Sequence, residues 1–97
     1  MELELPRLAG GREAVDGLTA TWPPDMSGRE VTVRCENLLA STPSYADQLL
    51  FCGVVKRGAT RMVFVGANEQ FATFVQQSAE SHDVTDRIDF LPIGDHT

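Results

Sequence analysis

The sequence has little of what metal binding, redox chemistry or export requires. Its two cysteines, Cys35 and Cys52, stand too far apart for a Cys-x-x-Cys motif. Its two histidines, His82 and His96, have no zinc-ligand spacing with them. Neither cysteine has a neighbouring cluster of cations to favour thiolate, so both read as buried, reduced thiols. No apolar run approaches the length of a membrane span. The opening Met-Glu-Leu-Glu-Leu-Pro is acidic and has no apolar signal region, so a cytoplasmic protein is expected. Basic residues are also few: 8 against 14 acidic ones, a net charge of −6. That balance disfavours nucleic acid and anionic membranes as partners, because both are held chiefly through lysine and arginine.

Catalytic and cofactor motifs are missing too. Gly10-Gly11 and Gly66-Ala67-Asn68 lack the glycine spacing of a phosphate-cradling or dinucleotide loop. Ser81-His82-Asp83 holds the letters of a catalytic triad, but that geometry needs partners brought together in space, and the run reads as a polar loop. Asp83, Asp86 and Asp89 are evenly spaced without a calcium-loop pattern and read as a solvated rim. No cofactor, no metal and no enzymatic activity are therefore expected.

What is present is the composition of one small domain: 97 residues, 42% of them apolar. Met1 to Leu5 alternates, with Leu3 and Leu5 opposite Glu2 and Glu4, and predicts a short edge strand stopped by Pro6. Arg12 to Ala20 carries Ala14, Val15 and Leu18 at helical spacing and ends before Pro23-Pro24, with Trp22 covering the core. Glu30 to Cys35 alternates again, with Val31, Val33 and Cys35 on one side. One covered sheet face and one wet face follow from that pattern.

A second helix is predicted from Pro43 to Lys56. Ala46, Leu49, Leu50 and Gly53 form its sheet-facing stripe, and Gly53 allows close approach. Phe51, Val54 and Val55 fall off that stripe, so a second apolar face must be covered by a neighbouring element or by a partner. Arg61-Met-Val-Phe-Val65 is the most strand-like run and predicts a central parallel strand. Asn68 caps a third helix whose stripe is Phe71, Ala72, Phe74, Val75 and Ala79. Arg87 to Leu91 gives a last short strand closed by Pro92, and 92–97 a loose tail. Alternating strands and helices imply parallel pairing in a small α/β sheet of about four strands, with helices mainly on one face.

The junction before the second helix concentrates hydroxyls: Ser41-Thr-Pro-Ser-Tyr45. A helix start offers unpaired N–H groups and the positive end of the helix dipole, which favour an anion or a phosphate on a nearby hydroxyl. The simpler account is a cap. Either Thr42 caps with Pro43 in the first helical position, or Ser44 and Asp47 form a variant capping box.

The strand Val31 to Cys35, the segment Glu36-Asn-Leu-Leu-Ala-Ser-Thr-Pro-Ser-Tyr-Ala-Asp-Gln-Leu-Leu50, the strand Arg61 to Val65 and the helix Phe71 to Ala79 together resemble the STAS and STAS-like family. That family includes bacterial anti-sigma factor antagonists. The resemblance spans roughly 11–91 and rests on element order and on the loop-to-helix segment. It implies a single domain that binds a partner, a histidine-kinase-like ATPase acting as anti-sigma factor. A Ser or Thr opening the helix would be phosphorylated by that partner to end the complex. The matching positions are Ser41, Thr42 and Ser44, with Ser44 the preferred phosphoacceptor and Thr42 the second. This chain departs from the family's Asp-Ser-Ser-Gly-like run at Pro43 and Tyr45. The partner-binding residues implied are Tyr45, Asp47, Gln48, Phe51 and Val55. An interaction domain without phosphorylation, a homodimer through the apolar helix, and a sensor of a small anion at the helix start are the other readings left open.

Overall fold

The computed structural model describes residues 1–93. Strands run Glu2–Glu4 (β1), Leu8–Ala9 (β2), Glu30–Arg34 (β3), Ala40–Ser41 (β4), Arg61–Val65 (β5) and Ile88–Leu91 (β6). Helices run Arg12–Leu18 (α1), Pro43–Leu50 (α2) and Glu69–Ser81 (α3). Four strands form one wholly parallel sheet in the order β1-β3-β5-β6, so the order in space is the order along the chain. The expected α/β architecture is what the chain adopts, and Arg61–Val65 lies inside the sheet between β3 and β6. The expected tail at 92–97 lies, from residue 94 on, outside the described residues.

Side-chain alternation sets the layers. Val31 and Val33 on β3 and Met62 and Phe64 on β5 are buried beneath the helices. Thr32, Arg34 and Arg61 point the other way and reach solvent. That second face is bridged by ion pairs, Glu2–Arg34–Glu36 and Arg61–Asp89, rather than by a second helical layer. The helices lie side by side with α2 in the middle, touching α1 on one flank and α3 on the other. Neighbouring elements thus cover much of the extra apolar surface expected after Leu50, Val54 among it.

One contiguous core joins Leu5, Trp22, Met26, Tyr45, Leu49, Phe64, Phe71 and their neighbours. The radius of gyration is 12.2 Å, close to the roughly 12.5 Å of one domain of this length. After α2 the chain continues through a π-helical turn, Phe51–Val55, before the β5 strand. Gly53 sits in that turn, and a Cβ there would stand 2.9 Å from Met62 Sδ and 3.4 Å from Trp22 Cζ3. The absent side chain is what lets the turn rest on the sheet. Gly66, with φ of +71°, ends β5 in a conformation that costs other residues about 1–2 kcal/mol.

Two features lay outside the sequence reading. The two-residue strands β2 and β4 pair in parallel, Leu8 with Ala40 and Ala9 with Ser41, as a separate ribbon. And the run Ser81-His82-Asp83 is not a free polar loop: Ser81 closes α3, and His82 caps it, with its backbone N–H donating to the Ser78 carbonyl at 3.0 Å.

Candidate functional site at the start of the second helix

The β4 strand feeds directly into α2, and Thr42 is the N-cap. Its Oγ1 accepts from the Tyr45 N–H at 3.2 Å and from the Gly11 N–H at 3.4 Å. Pro43 fills the first helical position, where its missing N–H costs nothing. The alternative cap, Ser44 with Asp47, is not formed. Ser44 Oγ lies 3.2 Å from Thr42 Oγ1. Either hydroxyl can be the donor in that contact. Thr42 is committed to the fold through its two backbone donors.

Five positions were expected to face a partner. Tyr45 does not: it is 1% exposed and belongs to the core. Burial pushes its phenol pKa up, and the nearby Cys35 adds to this. Its position explains the discrepancy, since it is one step past Ser44 and falls on the inward side of the helix. The other four reach the surface. Asp47, Gln48 and Phe51 are half-buried, as is the candidate acceptor Ser44, and Val55 is 43% exposed. Asp47 and Gln48 lie a turn on from Ser44, Phe51 a turn beyond them and Val55 a turn further, so they form the outward line of α2 and its π turn.

That line is not bare. Asp47 is a junction of the three helices. Its Oδ2 pairs with Arg12 Nη1 from α1 at 2.8 Å. Its Oδ1 accepts from Ser78 Oγ at 2.7 Å and bonds to His82 Nε2 at 3.0 Å, both on the α3 side. Partial burial alone would raise the Asp47 pKa. The hydrogen bonds from Arg12, Ser78 and His82, with the charge of His82, together hold it below its ordinary 3.8. Gln48 extends the network: its Oε1 accepts from Arg12 Nη1 at 3.2 Å and its Nε2 donates to Asp16 Oδ1 at 2.9 Å. Phe51 tilts against the His82 ring, with centroids 6.2 Å apart.

Ser78, His82 and Asp47 meet in space, yet not as a nucleophilic triad. There the imidazole must sit between hydroxyl and carboxylate; here the carboxylate sits between the other two. The arrangement fastens α2 to α3 and leaves no base on the serine. No local pattern signals it, because Asp47 and His82 are 35 residues apart.

The cysteines follow the expected pattern of burial. Cys35 and Cys52 are both free and buried. Burial, with Glu36 nearby, pushes the Cys35 thiol up to about 12. Among the described residues, no group of three or more His, Cys, Asp or Glu side chains could hold a metal ion. No helix among them is long and apolar enough to cross a membrane. No protein-family model matches this chain, and no curated protein or solved structure matches it.

Proposed function

We propose that this chain is a non-catalytic regulatory module of STAS-like type, an anti-sigma factor antagonist-like protein of the cytoplasm that binds a protein partner along α2. The observation that carries this reading is the outward line Ser44, Asp47, Gln48, Phe51 and Val55, which begins at the hydroxyl-bearing helix start and ends in exposed apolar surface. In this reading the partner is a histidine-kinase-like ATPase, and Ser44 is the acceptor of its phosphoryl group. Thr42 comes second, because modifying it would remove the cap.

The switch works through charge and desolvation. A phosphoserine adds nearly two negative charges. On the free protein the positive end of α2 tolerates them. In an interface closed over Ser44 they would be buried without partners, at a cost of several kcal/mol.

The test is capture of partners by the purified chain from its native extract, with and without ATP, followed by mass spectrometry of partner and bait. Capture of such an ATPase, release on adding ATP and phosphate on Ser44 are expected. Val55→Asp should abolish capture while leaving the melting temperature unchanged. Ser44→Asp binding as tightly as the native chain would overturn the switch. Capture that survives Val55→Asp would overturn the interface. A partner held with no modified hydroxyl would leave a plain interaction domain, a reading favoured by the hydrogen bond that already occupies Ser44 Oγ.

A further inference from the structure

A second surface lies away from the outward line of α2. At the carboxyl ends of β1 and β3 there is an open groove of about 730 Å³. Leu5, Leu18 and Leu39 line it. Leu39 is 63% exposed, and Leu8 on the adjoining strand β2 is 73% exposed; these are the two most exposed large hydrophobic side chains of the described residues. Both sit at the ribbon, which backbone hydrogen bonds hold in place: the Leu39 and Ala40 N–H groups donate to the Arg7 carbonyl at 2.8 and 3.2 Å.

The charges around the groove are specific. Glu36 is held by Arg34 at 2.9 Å. Glu4 receives a hydrogen bond from Asn37 Nδ2 at 2.7 Å but has no cation, and Arg7 has no carboxylate, among the described residues. The groove thus presents one unpaired carboxylate and one unpaired guanidinium, three residues apart along the chain, beside aliphatic surface. Polyanions and anionic membranes are poor complements, because Glu4 would meet their charge unscreened.

We infer that this groove docks an extended segment of a partner protein that carries a basic, an aliphatic and an acidic side chain on one face. The cation pairs with Glu4, the carboxylate is held by the planar fork of Arg7, and the aliphatic side chain covers Leu39. In an extended segment these three groups share a face when one residue separates each from the next. The inference stands apart from the α2 reading, since it uses neither Ser44 nor Val55.

The probe is acetyl-Lys-Ala-Leu-Ala-Glu-amide, titrated into the isotope-labelled full chain and followed by amide chemical shifts. Saturable shifts at Leu5, Leu18 and Leu39 are expected at millimolar peptide. Leu39→Ser, on an exposed side chain, should weaken binding about tenfold with an unchanged melting temperature. Glu4→Lys should lose this peptide and gain acetyl-Glu-Ala-Leu-Ala-Glu-amide. Val55→Asp should leave the titration unaltered, which separates this site from the α2 interface. The inference is overturned by the absence of saturable shifts, by equal binding of a peptide with serine in place of leucine, or by a Glu4→Lys variant whose preference does not invert.

Discussion

Removing the Asp47 carboxylate should loosen the helical layer more than an exposed acidic residue normally would. Its side chain is 29% exposed and that of its partner Arg12 is 52% exposed. An ion pair so open to water contributes about 0.2–1 kcal/mol. The hydrogen bond from Ser78 is different, because Ser78 is buried and would lose its one side-chain partner among the described residues. A hydrogen bond to a charged group contributes about 1.5–3 kcal/mol, and an orphaned buried hydroxyl costs about 1–3 kcal/mol. These two figures describe overlapping effects, and alanine returns about 0.5 kcal/mol of helix propensity. Asp47→Ala should therefore lose about 2 kcal/mol, read as a urea midpoint lowered by roughly 1–2 M with an unchanged slope.

The pH dependence follows from the lowered pKa of Asp47. A carboxyl depressed in the folded state contributes its full stability above the unfolded value of 3.8 and loses it as pH falls through the folded one. The gap between native chain and Asp47→Ala should thus narrow in acid, below about pH 4. The double variant Asp47→Ala with Ser78→Ala should recover at least about 1 kcal/mol relative to the sum of the single losses. A loss under about 0.5 kcal/mol, or strict additivity with Ser78→Ala, would refute the view that this carboxylate joins the helices.

Three further outcomes are expected. Thr42→Ala should cost about 1 kcal/mol through loss of the cap, while Ser44→Ala should be nearly neutral, both measured by thermal unfolding. Cys35, its thiol raised to about 12, should resist iodoacetamide at mildly alkaline pH in the native protein and react once urea unfolds it. Gly53→Ala gains up to about 1 kcal/mol in helix propensity but crowds Met62 Sδ at 2.9 Å. Overpacking a filled core costs about 1–3 kcal/mol, so a net loss near 1 kcal/mol is expected in urea unfolding.

The parts of this fold legible in the sequence are those written at short range. Alternation in Val31, Val33 and Cys35 marked one buried face, and the pairing of β3 with β5 agrees with it. Thr42 and Asn68 announced their helices, and each accepts from the backbone N–H three residues on. Gly53 signalled close approach before its neighbours were known. What escaped depends on distant residues. The ribbon joins two-residue strands about 30 positions apart, too short to show any periodicity. Tyr45 was expected on the partner side beside the helix start, whereas helical geometry turns it into the core. His82 seemed solvated because nothing beside it in the chain is its partner.

A sheet whose strands lie in chain order, all pointing one way, finishes with two unlike edges. The outer side of β6 in one molecule has the direction needed to receive β1 of another. Such a contact repeats without closing, and each added molecule would present the same vacancy as the last, the geometry of a filament rather than of a dimer. The start of the chain stands against this: β1 is only three residues long, and two of them are the exposed glutamates Glu2 and Glu4. The shortest strand of the four-stranded sheet thus carries the charges that oppose its extension.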